Sequence, residues 1–115
     1  MFFYPRDFTF GCVREACAFR DYFEEFQKAG AEVIGISRDT AEEHRRFSGA
    51  YNLPYRLLSD PDKKVHRLYG VGHTLGILKE RVTYIIGRDG LIRYRFNSPV
   101  FFRRHVLRAL RHLNA

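Results

Sequence analysis

No run of the 115 residues is long and apolar enough for a membrane-spanning helix, so no membrane role is expected. The opening MFFY is apolar but too short for a secretory leader, and no small-residue cleavage site follows it. The expected location is therefore cytoplasmic, a reducing compartment in which a permanent disulfide is unfavourable. Internal repeats, low-complexity tracts and linkers are absent, and the length suits a single domain over residues 1–115. Long basic runs are absent as well. The net charge of +7 divides into −2 over residues 1–40 (five Lys/Arg, seven Asp/Glu) and +9 over residues 41–115 (fifteen against six). The Arg pairs at 45–46 and 103–104 are not exceeded by any longer basic run. That excess reads as a solvated basic surface, and no nucleic-acid partner is expected. Cysteine is scarce: Cys12 and Cys17 are the only two.

What is present is an alternation of helix and strand patterns. Between Arg14 and Ala29, the apolar residues Ala16, Phe19, Phe23 and Phe26 recur at helical spacing, and Gly30 supplies a stop. AEVIGIS (31–37) has the short, β-branched character of a buried strand. Asp39 followed by Glu42 marks a helix start, and TAEEHRRFSGAYN continues it with Phe47 and Tyr51 inward until Pro54. YRLLS reads as a strand, and DPDKKVHRLYG as a short helix ended by Gly70. After a glycine-bearing loop over 70–80, RVTYII and LIRYRF flank GRDG, which is a hairpin signal. From Val100 onward, Phe102, Val106, Leu110 and Leu113 share one face of a closing helix with arginines opposite. Packing on a sheet accounts for that helix more cheaply than a membrane surface does. The order predicts an α/β fold, a mixed sheet flanked by helices on both faces. MFFY reads as a strand stub, expected to fray or to offer a free edge unless something covers it.

Cys12 falls where the loop YPRDFTFG gives way to a helix, and a helix start favours a thiolate through its unpaired N–H groups and its dipole. Thr9 is placed to hydrogen-bond a substrate or the sulfur, Gly11 permits close backbone approach, and Pro5 stiffens the loop. Cys17 lies five residues on. In an intact helix the two Cα atoms stand roughly 8–9 Å apart, whereas a disulfide needs about 7 Å or less. A static staple is therefore disfavoured, and a bridge requires the first helical turns to unwind. On spacing alone, two unreactive buried cysteines are the slightly favoured reading. A metal site is weak, because the pair supplies two ligands with no histidine nearby. The four intervening residues also depart from the two of a thioredoxin-type dithiol.

FYPRDFTFGCVREACAFRD resembles the active-site segment of the peroxiredoxins, whose signature Pro-x-x-x-Thr-x-x-Cys is filled by Pro5, Thr9 and Cys12. Cys17, five positions further, resembles the mark of the Q or bacterioferritin-comigratory-protein subgroup. GAEVIGIS, YNLPYRLLSD, LYGV and RVTYII followed by a DG turn look like the same subgroup in the same order. The resemblance implies a thioredoxin-like fold and a thiol peroxidase. Cys12 would be the peroxidatic residue, forming a sulfenic acid on hydrogen peroxide or an organic hydroperoxide, and Cys17 the resolving residue of an intramolecular disulfide. Thioredoxin or a similar dithiol would reduce that bridge, in a monomer that needs no metal or other cofactor. Arg81 matches the family's active-site arginine, a permanent cation for the sulfur and the peroxide.

The sequence departs from the subgroup in three ways. Members carry several tens of residues ahead of this segment, a hairpin and most of the first core strand, so the fold is expected to be short at its N-terminal side. Phe10 stands for a proline and Val13 for a threonine, the former expected to loosen the loop or narrow the pocket mouth. Gly87 replaces an aspartate at the end of a strand, as turn chemistry. Two rival readings follow, an inactive shortened homologue and, on charge alone, a basic nucleic-acid-binding module.

Overall fold

The computed structural model describes residues 1–71, 73–74, 78–79, 81–97 and 102–113. The elements run β1 (Phe2–Phe3), α1 (Phe10–Asp21), α2 (Phe23–Lys28), β2 (Ile34–Ser37), α3 (Ala41–Tyr51) and β3 (Arg56–Ser59). They continue with α4 (Lys64–Leu68), β4 (His73–Thr74), β5 (Leu78–Lys79), β6 (Val82–Ile86), β7 (Ile92–Asn97) and α5 (Phe102–Leu113). Five strands form one sheet in the order β3-β2-β1-β6-β7, and β4 pairs with β5 separately. β1, β2 and β3 are parallel, while β6 runs antiparallel to both β1 and β7. This is the expected mixed sheet.

The strand stub is the point of correction. The FF pair is no free edge: it lies at the centre of the sheet, with Phe2 opposite Gly35 and Thr83 and Phe3 opposite Ile36 and Val82. Fraying is opposed on both sides, since Tyr4 N–H donates to the Ile36 carbonyl (3.0 Å) and Tyr84 N–H to the Met1 carbonyl (2.8 Å). Alternation then sends the two rings to opposite faces. Phe2 joins a core with Ala16, Phe19, Phe26, Phe47, Val106 and Leu110, whereas Phe3 joins Ile36, Val71, Val82 and Tyr84. Gly35 is required where it stands, because a Cβ there would meet a Phe2 ring carbon at 2.9 Å and Leu57 Cδ2 at 2.8 Å. The vacated space lets Phe2 lie flat on Phe19, with centroids 4.3 Å apart. Full burial of such a ring stabilises the fold by roughly 1.5–3 kcal/mol.

Helix boundaries differ from the sequence reading in instructive ways. α1 starts at Phe10, two residues ahead of the expected junction at Cys12 and before the apolar stripe from Arg14, because its first turn is closed by the loop (Val13 N–H to the Thr9 carbonyl, 2.8 Å). It divides from α2 at Tyr22 (φ −101°), a bend that lets Phe26 reach Phe19, with centroids 5.6 Å apart. Gly30 ends α2 as expected, in the left-handed conformation (φ 75°), with its N–H on the Gln27 carbonyl. The cap of α3 is Thr40, not Asp39: Thr40 and Glu43 form a reciprocal capping box, and Asp39 is buried and turned elsewhere. Asn52, left-handed at φ 51°, ends that helix before Pro54 is reached. The 82–97 hairpin forms as expected, with Gly90 at φ 82° in its turn. Much of the 70–80 loop, Val100 and the side chain of Phe102 lie outside the described residues, whereas Val106 and Leu110 of α5 are buried and Leu113 packs against them. No helix among the described residues is long and apolar enough to cross a membrane.

Candidate active site

The loop from Tyr4 to Thr9 carries the chain from the centre of the sheet to α1, and Cys12 is the third residue of that helix. Its sulfur is buried, with the side chain 1% exposed. Among the described residues, two donors point at Sγ, the Arg6 backbone N–H and Arg81 Nη2, each at 3.5 Å. Arg81, buried just ahead of β6, is divided between two partners, because its Nη1 donates to Glu15 Oε1 at 2.9 Å. Glu15 follows Cys12 by three residues and so lies on the same face of α1. It is wholly buried, and its second oxygen faces His105 Nδ1 of α5 at 3.5 Å. The same imidazole nitrogen lies 2.6 Å from Thr83 Oγ1 of β6. Burial pushes the Glu15 carboxyl up to about 7 against the pull of Arg81, so the charge facing this arginine changes near neutrality.

On the other side of Cys12 the loop itself is tied down. Asp7 accepts from Tyr4 Oη–H (2.6 Å) on one oxygen and lies 2.7 Å from His44 Nδ1 on the other. Its backbone N–H donates to Asp39 Oδ2 (2.7 Å), which also accepts from the Ser37 hydroxyl. His44 Nε2 reaches the Leu58 carbonyl of β3 at 3.1 Å. This anchoring holds Phe8 at φ 62°, a costly conformation for a bulky residue, with its half-exposed ring against Phe47 at 5.1 Å. Asp7, Asp39 and His44 also present donor atoms within 4.8 Å of one another, the spacing of a metal site. Both Asp7 oxygens and both His44 nitrogens are, however, already engaged by protein groups, so the cluster is described by its hydrogen bonds.

The residues singled out in the sequence are thus distributed unevenly. Cys12 and Arg81 are brought together. Thr9 caps α1 from an exposed position, with its hydroxyl donating to the Arg6 carbonyl (2.7 Å) and its oxygen lone pairs left to accept. Pro5 opens the loop and is half-buried. Cys17 is a free, half-buried thiol on the same unbroken helix as Cys12, and burial outweighs Arg20 in holding its pKa above the ordinary value. Phe10 does not close over the sulfur: it is 74% exposed, with the Arg14 guanidinium 5.1 Å from its ring centre. Val13 is half-buried at the edge of the core, and Gly87 donates to the Leu91 carbonyl within the hairpin turn. Glu15, His44 and His105 were not anticipated. The three-residue step from Cys12 to Glu15 was a usable signal, but nothing local points to the two histidines.

A mixed five-stranded sheet with flanking helices and a buried cysteine at a loop-to-helix junction defines a thioredoxin-like fold. Matched solved structures agree. A peroxidoxin, BcpB, from Mycobacterium tuberculosis superposes with a TM-score of 0.90 at 35% identity, covering 98% of this chain and 75% of that one. The bacterioferritin comigratory protein of Xanthomonas campestris, described for its alkyl peroxide reduction activity, gives 0.89 at 30% identity over the same shares. The AhpC/TSA family pattern matches residues 1–95, and the chain belongs to that family, in its peroxiredoxin Q branch. It is 45% identical to the chloroplastic peroxiredoxin Q of Arabidopsis thaliana over all of this chain and 54% of that protein. The chain thus spans about half the length of the curated relatives it matches.

Proposed function

We propose that the protein is a thiol peroxidase in which Cys12 is the peroxidatic residue and Cys17 the resolving one. The observation that carries this reading is the setting of Cys12 Sγ, a buried sulfur that faces a permanent cation and a backbone N–H at 3.5 Å each. Such donors favour a sulfur anion and stabilise charge as it moves onto peroxide oxygen. The sulfur attacks the terminal oxygen of ROOH, an S–O bond forms as the O–O bond breaks, and ROH leaves once it gains a proton. Cys12 becomes a sulfenic acid. Arg81 polarises the peroxide, Thr9 accepts a hydrogen bond from its O–H, and Pro5 shields the loop. Cys17 then attacks the sulfenic sulfur, releasing water and forming a disulfide, which a dithiol donor such as thioredoxin reduces at the cost of its own oxidation. No step needs a metal or organic cofactor.

The substrate class is hydrogen peroxide and organic hydroperoxides, and the likeness to the Xanthomonas protein supports the second. The cycle runs in a monomer in a reducing, cytoplasmic setting, without nucleic acid. Rapid mixing of reduced protein with hydrogen peroxide, followed by mass spectrometry, tests the roles. Cys12→Ser should abolish peroxide turnover. Cys17→Ser should keep one rapid oxidation per chain and lose thioredoxin-supported turnover. Equal loss of the first oxidation in both variants would overturn the assignments.

A further inference from the structure

We infer that His44 is a positioning residue for this chemistry: clamped as an imidazolium between Asp7 and Leu58, it latches the Cys12 loop closed and opposes the opening that lets Cys17 arrive. The inference rests on the peroxidase reading for its consequence but not for its geometry. His44 Nδ1 lies 2.7 Å from a carboxylate oxygen and Nε2 lies 3.1 Å from a carbonyl oxygen. Both partners only accept. A neutral imidazole has a single N–H, so the two bonds coexist only when the ring carries both protons. The other groups facing the ring are the Tyr4 hydroxyl at 3.4 Å, from the end of β1, and Asp39 from the β2–α3 turn. Burial works against the imidazolium, but Asp7, the Leu58 carbonyl and Asp39 outweigh it, and the pKa of His44 stands above its ordinary value of 6.5.

What the latch holds is the turn of helix that carries Cys12. Cys12 and Cys17 share α1, and helix geometry keeps their Cα atoms roughly 8–9 Å apart, beyond the reach of about 7 Å for a disulfide. Unwinding of the first turn, which carries Cys12, brings the two within reach. That turn is closed by Val13 N–H on the Thr9 carbonyl, and the loop behind it is pinned through Asp7 to Tyr4, His44 and Asp39. The sign of the pH effect follows. Because the latched state binds the imidazole proton more tightly than the opened one, latching is complete below pH 6.5 and is lost as pH rises through the raised pKa. Closed, the loop presents the Arg6 N–H to Sγ; open, it frees Cys12 for Cys17.

Two measurements on the full chain test this. In the reduced wild-type protein, 15N spectra of the His44 ring should show both nitrogens protonated at pH 6, and a neutral single-tautomer ring there would overturn the latch whether or not the protein is a peroxidase. Amide exchange in the first turn of α1, again without peroxide, should be about tenfold or more faster at pH 6 in His44→Gln than in the wild type, the loss expected for a hydrogen bond to a charged group. The difference should shrink as pH rises through the His44 titration, and disulfide closure after a peroxide pulse should follow the same pattern, with less sulfinic acid in the variant. Equal exchange and equal closure at every pH would overturn it. Should His44→Gln not fold, Asp7→Asn removes the same charge pair and is read in the same way, while the 15N result stands by itself.

Discussion

Cys12 stands between two buried polar clusters with similar ingredients and different construction. On one side, Glu15, Arg81, Thr83 and His105 come from α1, the start of β6 and α5; on the other, Tyr4, Asp7, Asp39 and His44 come from the loop, the β2–α3 turn and α3. Each sets a histidine against a carboxylate. Only the first holds an arginine, and only the first touches the sulfur with a side chain. Arg81 is shared between Glu15 and Sγ, so whatever neutralises one partner leaves more of the cation to the other. In the second cluster, the Asp7 carboxylate holds the Tyr4 and His44 side chains, while His44 Nε2 and the Asp39 carboxylate reach backbone at Leu58 and Asp7. Buried charge is expensive and gains little net stability. The contrast shows two uses for it, placing a cation against a buried sulfur and holding a strained loop in register.

The comparison can be broken most severely at Arg81. Arg81→Met should slow the first oxidation by roughly 10²–10³, the usual cost of removing one preorganised donor from a developing charge. Stopped-flow traces at pH 7 with folded protein would settle it, and a loss of less than about threefold would mean that Arg81 supports structure alone. Glu15→Gln should act more moderately and with a pH signature. The Glu15 pKa is raised in the fold from 4.5 to about 7, so the native state holds this proton more tightly than the unfolded one. Its contribution is fully present below pH 4.5 and is lost as pH rises through about 7. The variant, fixed in the neutral form, should lack that slope, which is on the order of a few kcal/mol. Denaturant titrations between pH 4 and 8 check it, and an unchanged slope would remove Glu15 as its source.

The smallest effect is expected at another buried carboxylate, one whose hydrogen bonds go to the start of α4. Asp60 is buried, which alone would raise its pKa, but hydrogen bonds from the His66 ring and from the N–H groups of Val65 and His66 win, and the pKa is lowered. Its stabilisation is therefore present above the ordinary carboxylate range and is lost as pH falls through the depressed pKa. Asp60→Asn should cost about 1–3 kcal/mol at pH 7 and flatten the acid limb of stability. The rate of Cys12 oxidation should be unaffected. A parallel loss of oxidation rate would show that the start of α4 is coupled to the site.

Much of this molecule could be read locally. The 82–97 hairpin follows from alternation around a GRDG turn, and the stop at Gly30 from a residue that tolerates left-handed backbone. Cys12 at a helix start and Glu15 one turn away are also matters of spacing. Other features are not local. The MFFY pattern cannot be told from a terminal stub, because composition carries no strand order. The cap of α3 slipped from Thr40 to Asp39 because both are good caps in isolation, and only burial of Asp39 against the loop separates them.

By itself, then, the sequence determined what periodicity and short spacing can encode: an alternating α/β order, a cysteine at the head of a helix, and a second thiol that an intact helix keeps out of reach. The tertiary structure alone decided that two phenylalanines at the chain start become the middle of the sheet. It also carried Arg81, 69 residues away in sequence, to the sulfur, and folded α3 back so that His44 meets Asp7. The physical reason is that hydrogen-bond patterns within a helix or hairpin are fixed by near neighbours, whereas the position of a buried charge depends on which strands pair, and that is settled by the packing of the whole core.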